Sequence, residues 1–130
     1  MKIVRKFIIV FIFLLTCFSV LIRTFGFTPY AIKTQSMEPE IPVNSLAYVS
    51  SIEFDELKTG DIITYVAEDG VTVTHRIVSI DNSERMLRLK GDNNEFPDAL
   101  SVKESQVLGK VIFTIPFLGH ITNLFDKIQK

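Results

Sequence analysis

The chain has 130 residues, with 14 Lys and Arg against 15 Asp and Glu, a length that suits one small domain plus a short extra segment. The charge is lopsided: Lys2, Arg5, Lys6 and Arg23 flank an apolar N-terminus, and every acidic residue lies at Glu38 or later. From Ala31 onward 10 basic residues face 15 acidic ones, an acidic domain without a basic cluster, which argues against nucleic acid as a partner.

Residues 7–22 contain no charge. As a helix they span roughly 24 Å at about 1.5 Å per residue, short of the ~30 Å hydrocarbon core. Snorkelling by Lys6 and Arg23, and an extension through Thr24 to Phe27, make up the difference. A cleaved secretory signal would share these n- and h-regions, but no small-x-small cleavage site follows between Val20 and Lys33. The segment therefore reads as an uncleaved, single-pass anchor over 7–27. Lys2, Arg5 and Lys6 put residues 1–6 in the cytoplasm and the acidic domain outside the cell membrane. Cys17, the sole cysteine, lies inside this segment. It excludes an intramolecular disulfide and a zinc cluster, and it is no water-exposed nucleophile.

Residues 28–115 read as a mainly β, extracytoplasmic domain. Leu46 to Val49 is a short apolar run. Residues 61–66 and 71–80 are rich in Ile, Val, Thr and Tyr, and Asp69-Gly70 between them is a hairpin signal. Residues 86–90 and 107–115 supply further strands, the last interrupted at Gly109. Pro39, Pro42, Gly60, Gly91 and Pro97 punctuate the loops. Residues 116–130 read as a short amphipathic tail with Ile121, Leu124, Phe125 and Ile128 on one side.

Three segments carry chemistry. Ser36 lies in Thr34-Gln35-Ser36-Met37-Glu38-Pro39, where Pro39 restricts Glu38 to extended backbone and stiffens the loop. A lone serine is usually only a solvated hydroxyl. His75 shares a strand face with Val71, Val73 and Ile77, where a satisfied core histidine is the commoner reading. Apart from His120, it is also the domain's one side chain of a type suited to act as a base near neutral pH. Residues 90–98, Lys-Gly-Asp-Asn-Asn-Glu-Phe-Pro-Asp, offer carboxylates in what could be an ordinary acidic turn. A hydroxyl, an imidazole and a carboxylate are the parts of a nucleophilic hydrolase. Either Asp92 or Asp98 could orient the imidazole, and spacing does not choose between them.

Taken in order, Ser36-Met37-Glu38-Pro39, Gly60-Asp61-Ile62-Ile63-Thr64-Tyr65, Thr74-His75-Arg76-Ile77-Val78 and Lys90-Gly91-Asp92-Asn93-Asn94 resemble signal peptidase I. Val107 to Val111 and Ile115 to Gly119 look like the same family. The branch resembled is the endoplasmic-reticulum-like one, because His75 stands where ordinary bacterial members carry a lysine base. The resemblance implies a signal-peptidase-type β domain after one transmembrane helix. It also implies a serine endopeptidase that removes signal peptides from exported preproteins at the bilayer and needs no cofactor or metal. It carries the nucleophile to Ser36, the general base to His75 and the orienting acid to Asp98, with Asp92 as a supporting acid. Thr34 and the Ser36 backbone N–H would form the oxyanion hole, and Ile32 and Met37 would floor the substrate pockets. Many relatives add a C-terminal membrane helix where this chain has its short tail.

Other readings use the same residues differently. A membrane-anchored binding module for exported chains would need neither Ser36 nor His75. A self-cleaving Ser/Lys peptidase of the stress-repressor type would need a lysine at 75. A sortase-like transpeptidase would need a cysteine in the soluble domain.

Overall fold

The computed structural model describes residues 1–118; within its first helix the side chains at positions 19, 22 and 23 lie outside the description. The tail expected at 116–130, with His120, falls almost wholly outside the described residues.

Helix α1, Lys2–Thr24, contains the apolar segment. Its described apolar side chains, from Phe7 to Leu21, are exposed. Among the described residues no helix is long and apolar enough to cross a membrane. The helical character expected over 7–27 is present up to Thr24, whereas its membrane-spanning character draws no support from the fold. Phe27, expected as the last anchor residue, instead opens a strand and pairs with Ser50. Sequence reading missed this strand because Phe25-Gly26-Phe27 continues the apolar run, while Gly26 at φ 75° marks a turn.

The remaining described chain forms one seven-stranded sheet. Its strands are β1 Phe27–Ala31, β2 Leu46–Ser50, β3 Ile62–Val66, β4 Thr72–Asp81, β5 Met86–Lys90, β6 Val102–Lys103 and β7 Val107–Ile115. The spatial order is β1-β2-β7-β3-β4-β5-β6, and all six pairings are antiparallel. The mainly β reading therefore holds. The expected hairpin between β3 and β4 turns through Gly70 at φ 80°, with the Ala67 N–H donating to the Val71 carbonyl at 2.8 Å. β7 is irregular where sequence anticipated it. Gly109 faces Thr64, Tyr65 faces Val107, and a Cβ on Gly109 would stand 2.2 Å from the Ser50 carbonyl oxygen.

Alternation along β3 divides the core between the two faces of the sheet. Ile63 and Tyr65 pack with Phe54, Leu57, Ile77, Leu87, Leu89 and Val102. Ile62 points the other way and packs against Ile32, Met37, Ile41 and Ala47. The second cluster lies beneath the loop that carries Ser36, so the floor of that loop is hydrophobic core.

β4 has one further property that matters to the site. It pairs with β3 from Thr72 to Arg76, but with β5 only from Arg76 onward. Its first half is therefore partnered on one side of the strand only, among the described residues.

Candidate active site

The loop from Ile32 to Ser45 is pinned at several points. The Ile32 N–H donates to the Ser45 carbonyl at 2.9 Å, and the Asn44 N–H to the Ile32 carbonyl at 2.8 Å. Inside the loop, the Glu38 N–H bonds the Gln35 carbonyl at 3.0 Å and the Ile41 N–H bonds the Met37 carbonyl at 2.8 Å. Met37, only 1% exposed, anchors the loop in the core. The adjacent Ser36 is thereby left half-buried at the surface. Its hydroxyl lies 3.0 Å from Thr34 Oγ1.

His75 lies in the doubly paired stretch of neither neighbour: it faces Ile63 on β3 and precedes the start of pairing with β5. It is 7% exposed, and its Nδ1 is 2.6 Å from Asp98 Oδ2. The same carboxylate oxygen accepts the Tyr65 O–H at 3.2 Å. Asp98 is itself held by its backbone N–H, which donates to the Leu89 carbonyl at 2.8 Å.

Asp92 is engaged elsewhere. Arg76 grips it with Nε at 2.8 Å and Nη2 at 2.6 Å, while Arg76 Nη1 donates to the Gly60 carbonyl at 2.9 Å. The hydrogen bond to Asp92 holds the guanidinium above its ordinary pKa. A bidentate pair of this kind fixes geometry as well as charge. Of the two candidate acids, then, Asp98 lies against His75 and Asp92 clamps the root of the acidic loop to β4.

That loop also reaches back to the serine. The Asn93 N–H donates to the Ser36 carbonyl at 2.8 Å, and Asn94 N–H closes a turn onto the Gly91 carbonyl at 3.0 Å. Gly91 permits the approach, since a Cβ there would stand 2.6 Å from the Ser36 carbonyl oxygen.

Ser36 and His75 line one cleft of about 710 Å³, with Ile32, Thr34, Thr74 and Asn94 around them. One wall is the end of β1 and the residues after it, and the other is the singly paired half of β4. Of the expected pocket residues, Ile32 lines the cleft, whereas Met37 is part of the core below and does not. Among the described hydrogen bonds, Ser36 Oγ is joined to Thr34 rather than to His75. Such contacts are commonly loose before substrate arrives. No group of His, Cys, Asp or Glu is clustered for metal binding among the described residues.

Sequence reading quoted Tyr65, Gly91 and Asn93 within its motifs but gave none of them a role of its own in the site. Tyr65 could have been found: antiparallel pairing through the Asp-Gly hairpin puts it on the face that His75 occupies. The ties made by Gly91 and Asn93 use backbone atoms, which a sequence does not advertise.

Residues 5–86 match the signal peptidase, peptidase S26, sequence family. The chain is 38% identical over 86 residues to signal peptidase I W of Bacillus subtilis (strain 168), covering 64% of this chain and 45% of that protein. It is 30% identical over 103 residues to the signal peptidase complex catalytic subunit SEC11 of Colletotrichum graminicola, covering 71% of this chain and 60% of the relative. The human signal peptidase complex catalytic subunit SEC11C is 27% identical over 106 residues, with 73% and 55% coverage. The chain thus spans about half the length of the curated relatives it matches.

Proposed function

The chain belongs to the signal peptidase family, peptidase S26, and on that premise we propose that it is a membrane-anchored serine endopeptidase that removes signal peptides from exported preproteins. One observation carries the reading. Ser36 and His75 share a cleft, and His75 Nδ1 is bonded to Asp98 Oδ2, which leaves Nε2 as the nitrogen available to act as base.

In this mechanism Ser36 Oγ attacks the scissile carbonyl carbon as His75 takes its proton. The Ser36 backbone N–H and the Thr34 hydroxyl donate to the oxyanion; losing one such donor typically costs ~3 kcal/mol. As the peptide bond breaks, the imidazolium protonates the leaving amine and an acyl-enzyme remains on Ser36. Water then gives its proton to His75 and attacks the ester, releasing the signal peptide and restoring the serine. Asp98 holds the ring and stabilises its charged form, while Asp92 supports the loop through Arg76.

An extended substrate fits the cleft by strand addition, since among the described residues the first half of β4 has a strand partner on one side only. Ile32 would line the pocket for a small side chain before the cut. Membrane anchoring rests on the 23-residue helix α1, whose described apolar side chains from Phe7 to Leu21 are exposed and follow the basic Lys2, Arg5 and Lys6. With only Phe25 and Gly26 between Thr24 and Phe27, the helix leads almost directly into the strand that walls the cleft. Confinement with a membrane-bound preprotein would raise the effective concentration of the cut site.

The test is cleavage of a secretory preprotein by the full chain in lipid, comparing wild type with Ser36→Ala. Processing by wild type that vanishes in the variant supports the reading. Equal processing by both removes Ser36 from the mechanism. Capture of the preprotein without processing by either would favour a binding module.

A further inference from the structure

We propose that Tyr65 is a positioning residue for the His75–Asp98 pair: its phenolic O–H fixes the Asp98 carboxylate in the orientation that His75 uses. This rests on the serine peptidase reading above, and it assigns a role outside the Ser36, His75 and Asp98 set.

Asp98 needs such a partner. It sits in the loop between β5 and β6 rather than on a strand, and its neighbours Pro97 and Ala99 are exposed. Its backbone is fixed by the bond to Leu89, but the carboxylate torsion of an aspartate is broad and roughly two-fold. One hydrogen bond to His75 leaves the carboxylate free to swivel about that bond. A second donor from a different direction removes this freedom.

Tyr65 supplies the second donor from rigid ground. Its ring is 6% exposed, packed in the core with Ile63, Leu87 and Leu89 on a strand paired on both sides. Its cross-strand partner is Val73, which sets it diagonal to His75, with ring centroids 6.5 Å apart. The hydroxyl meets Asp98 Oδ2, the oxygen that His75 also uses. At 3.2 Å this bond is longer than the 2.6 Å bond to His75, so it steers the carboxylate without displacing the imidazole.

Packing alone would be served by phenylalanine, which has the same ring and no polar atom to bury. A buried phenol needs a partner, and among the described residues Tyr65 donates to Asp98. Burial first, and then the neighbouring Asp98 charge, push the Tyr65 phenol well above its ordinary pKa. The group therefore stays a neutral donor across any working pH.

The experiment uses the full chain in detergent micelles with three variants. Tyr65→Phe removes the hydroxyl. Leu87→Val disturbs the same core cluster without touching Asp98. Ser36→Ala controls for the proposed reaction. Two readouts are taken: steady-state cleavage of a preprotein, and the low-field proton resonance of the His75 Nδ1–H···Asp98 hydrogen bond. Tyr65→Phe is expected to lower kcat by about three- to tenfold with KM unchanged, the rate equivalent of one hydrogen bond. Its low-field resonance should broaden or vanish, while that of Leu87→Val and Ser36→Ala persists. An unchanged kcat and resonance in Tyr65→Phe would overturn the assignment and leave Ser36 untouched. An equal kcat loss in Leu87→Val at matched Tm, with the resonance kept in both, would reduce Tyr65 to packing and also overturn it. If Ser36→Ala cleaves like wild type, the peptidase reading fails instead, and the resonance alone decides whether Tyr65 orients the pair.

Discussion

Gly91→Ala tests whether the contact between the serine loop and the acidic loop governs catalysis. The added Cβ would stand 2.6 Å from the Ser36 carbonyl oxygen and 2.7 Å from Asn94 Nδ2. The amide of Asn94 ends a side chain and can rotate away. The Ser36 carbonyl is backbone, so its contact must open by roughly 0.9 Å to reach a van der Waals distance of about 3.5 Å. That movement stretches the 2.8 Å bond from the Asn93 N–H beyond hydrogen-bond range. It also moves Ser36, the proposed nucleophile. Misplacement of about 1 Å costs on the order of 10²-fold in rate, whereas the overpacking itself should cost about 1–3 kcal/mol of stability. Single-turnover cleavage with enzyme in excess reads the chemical step, and a thermal melt confirms that the variant is folded. A folded Gly91→Ala that cleaves within twofold of wild type would refute the claim that this tie positions the nucleophile.

Two further outcomes separate roles that the structure keeps apart. Asp98→Asn should lose about 10⁴-fold in kcat while staying folded, because an amide beside Nδ1 favours the wrong imidazole tautomer. Asp92→Asn should do the reverse, since it frees half of the Arg76 clamp: a lower Tm by melt, worth roughly 1–3 kcal/mol, with a much smaller loss of kcat. The third outcome concerns pH. Asp81 accepts the Ser83 hydroxyl at 2.6 Å and the backbone N–H groups of Ser83 and Glu84, and the Ser83 hydroxyl chiefly holds its carboxyl below the ordinary value. A carboxyl depressed on folding stabilises the native state above its unfolded pKa, and that contribution is lost as pH falls through the folded value. Melting curves taken from neutral to strongly acid pH should therefore show a shallower acid-side decline for Asp81→Asn than for wild type. Parallel curves would show that the turn between β4 and β5 gains nothing from the charge.

What could be read from sequence follows the range of the interactions involved. Five strands were legible from local pattern: residues rich in Ile, Val, Thr and Tyr in β3, β4 and β7, Leu alternating with Met, Arg and Lys in β5, and a short apolar run in β2, each bounded by turn residues. β1 was not, since Phe27-Thr28-Pro29-Tyr30-Ala31 adjoins an apolar run and becomes a strand only by pairing with β2. β6, at two residues, exists only through its contact with β5. The site divides in the same way. Ser36, His75 and the acidic loop announce themselves by residue type, yet the choice between Asp92 and Asp98 is made by Arg76, on the strand beside the histidine.

Neighbouring residues on β4 point to opposite faces, so His75 and Arg76 select different carboxylates from one loop. His75 takes Asp98 on the face it shares with Tyr65, and Arg76 takes Asp92 on the other. The loop is thereby stapled to both faces of one strand, and the stretch between the staples presents Asn93 to the Ser36 carbonyl. A single strand thus fixes His75, Asp98 and, through the loop, the position of Ser36. This explains why Ser36 and His75 lie 39 residues apart in sequence yet share one cleft. It also means that a register slip of one residue between β3 and β4 would exchange the faces of His75 and Arg76 and dismantle the site at once. The buried bond between the Thr64 and Thr74 hydroxyls, 2.8 Å long and directly across that pair of strands, opposes such a slip, because either hydroxyl moved out of register would lose its partner.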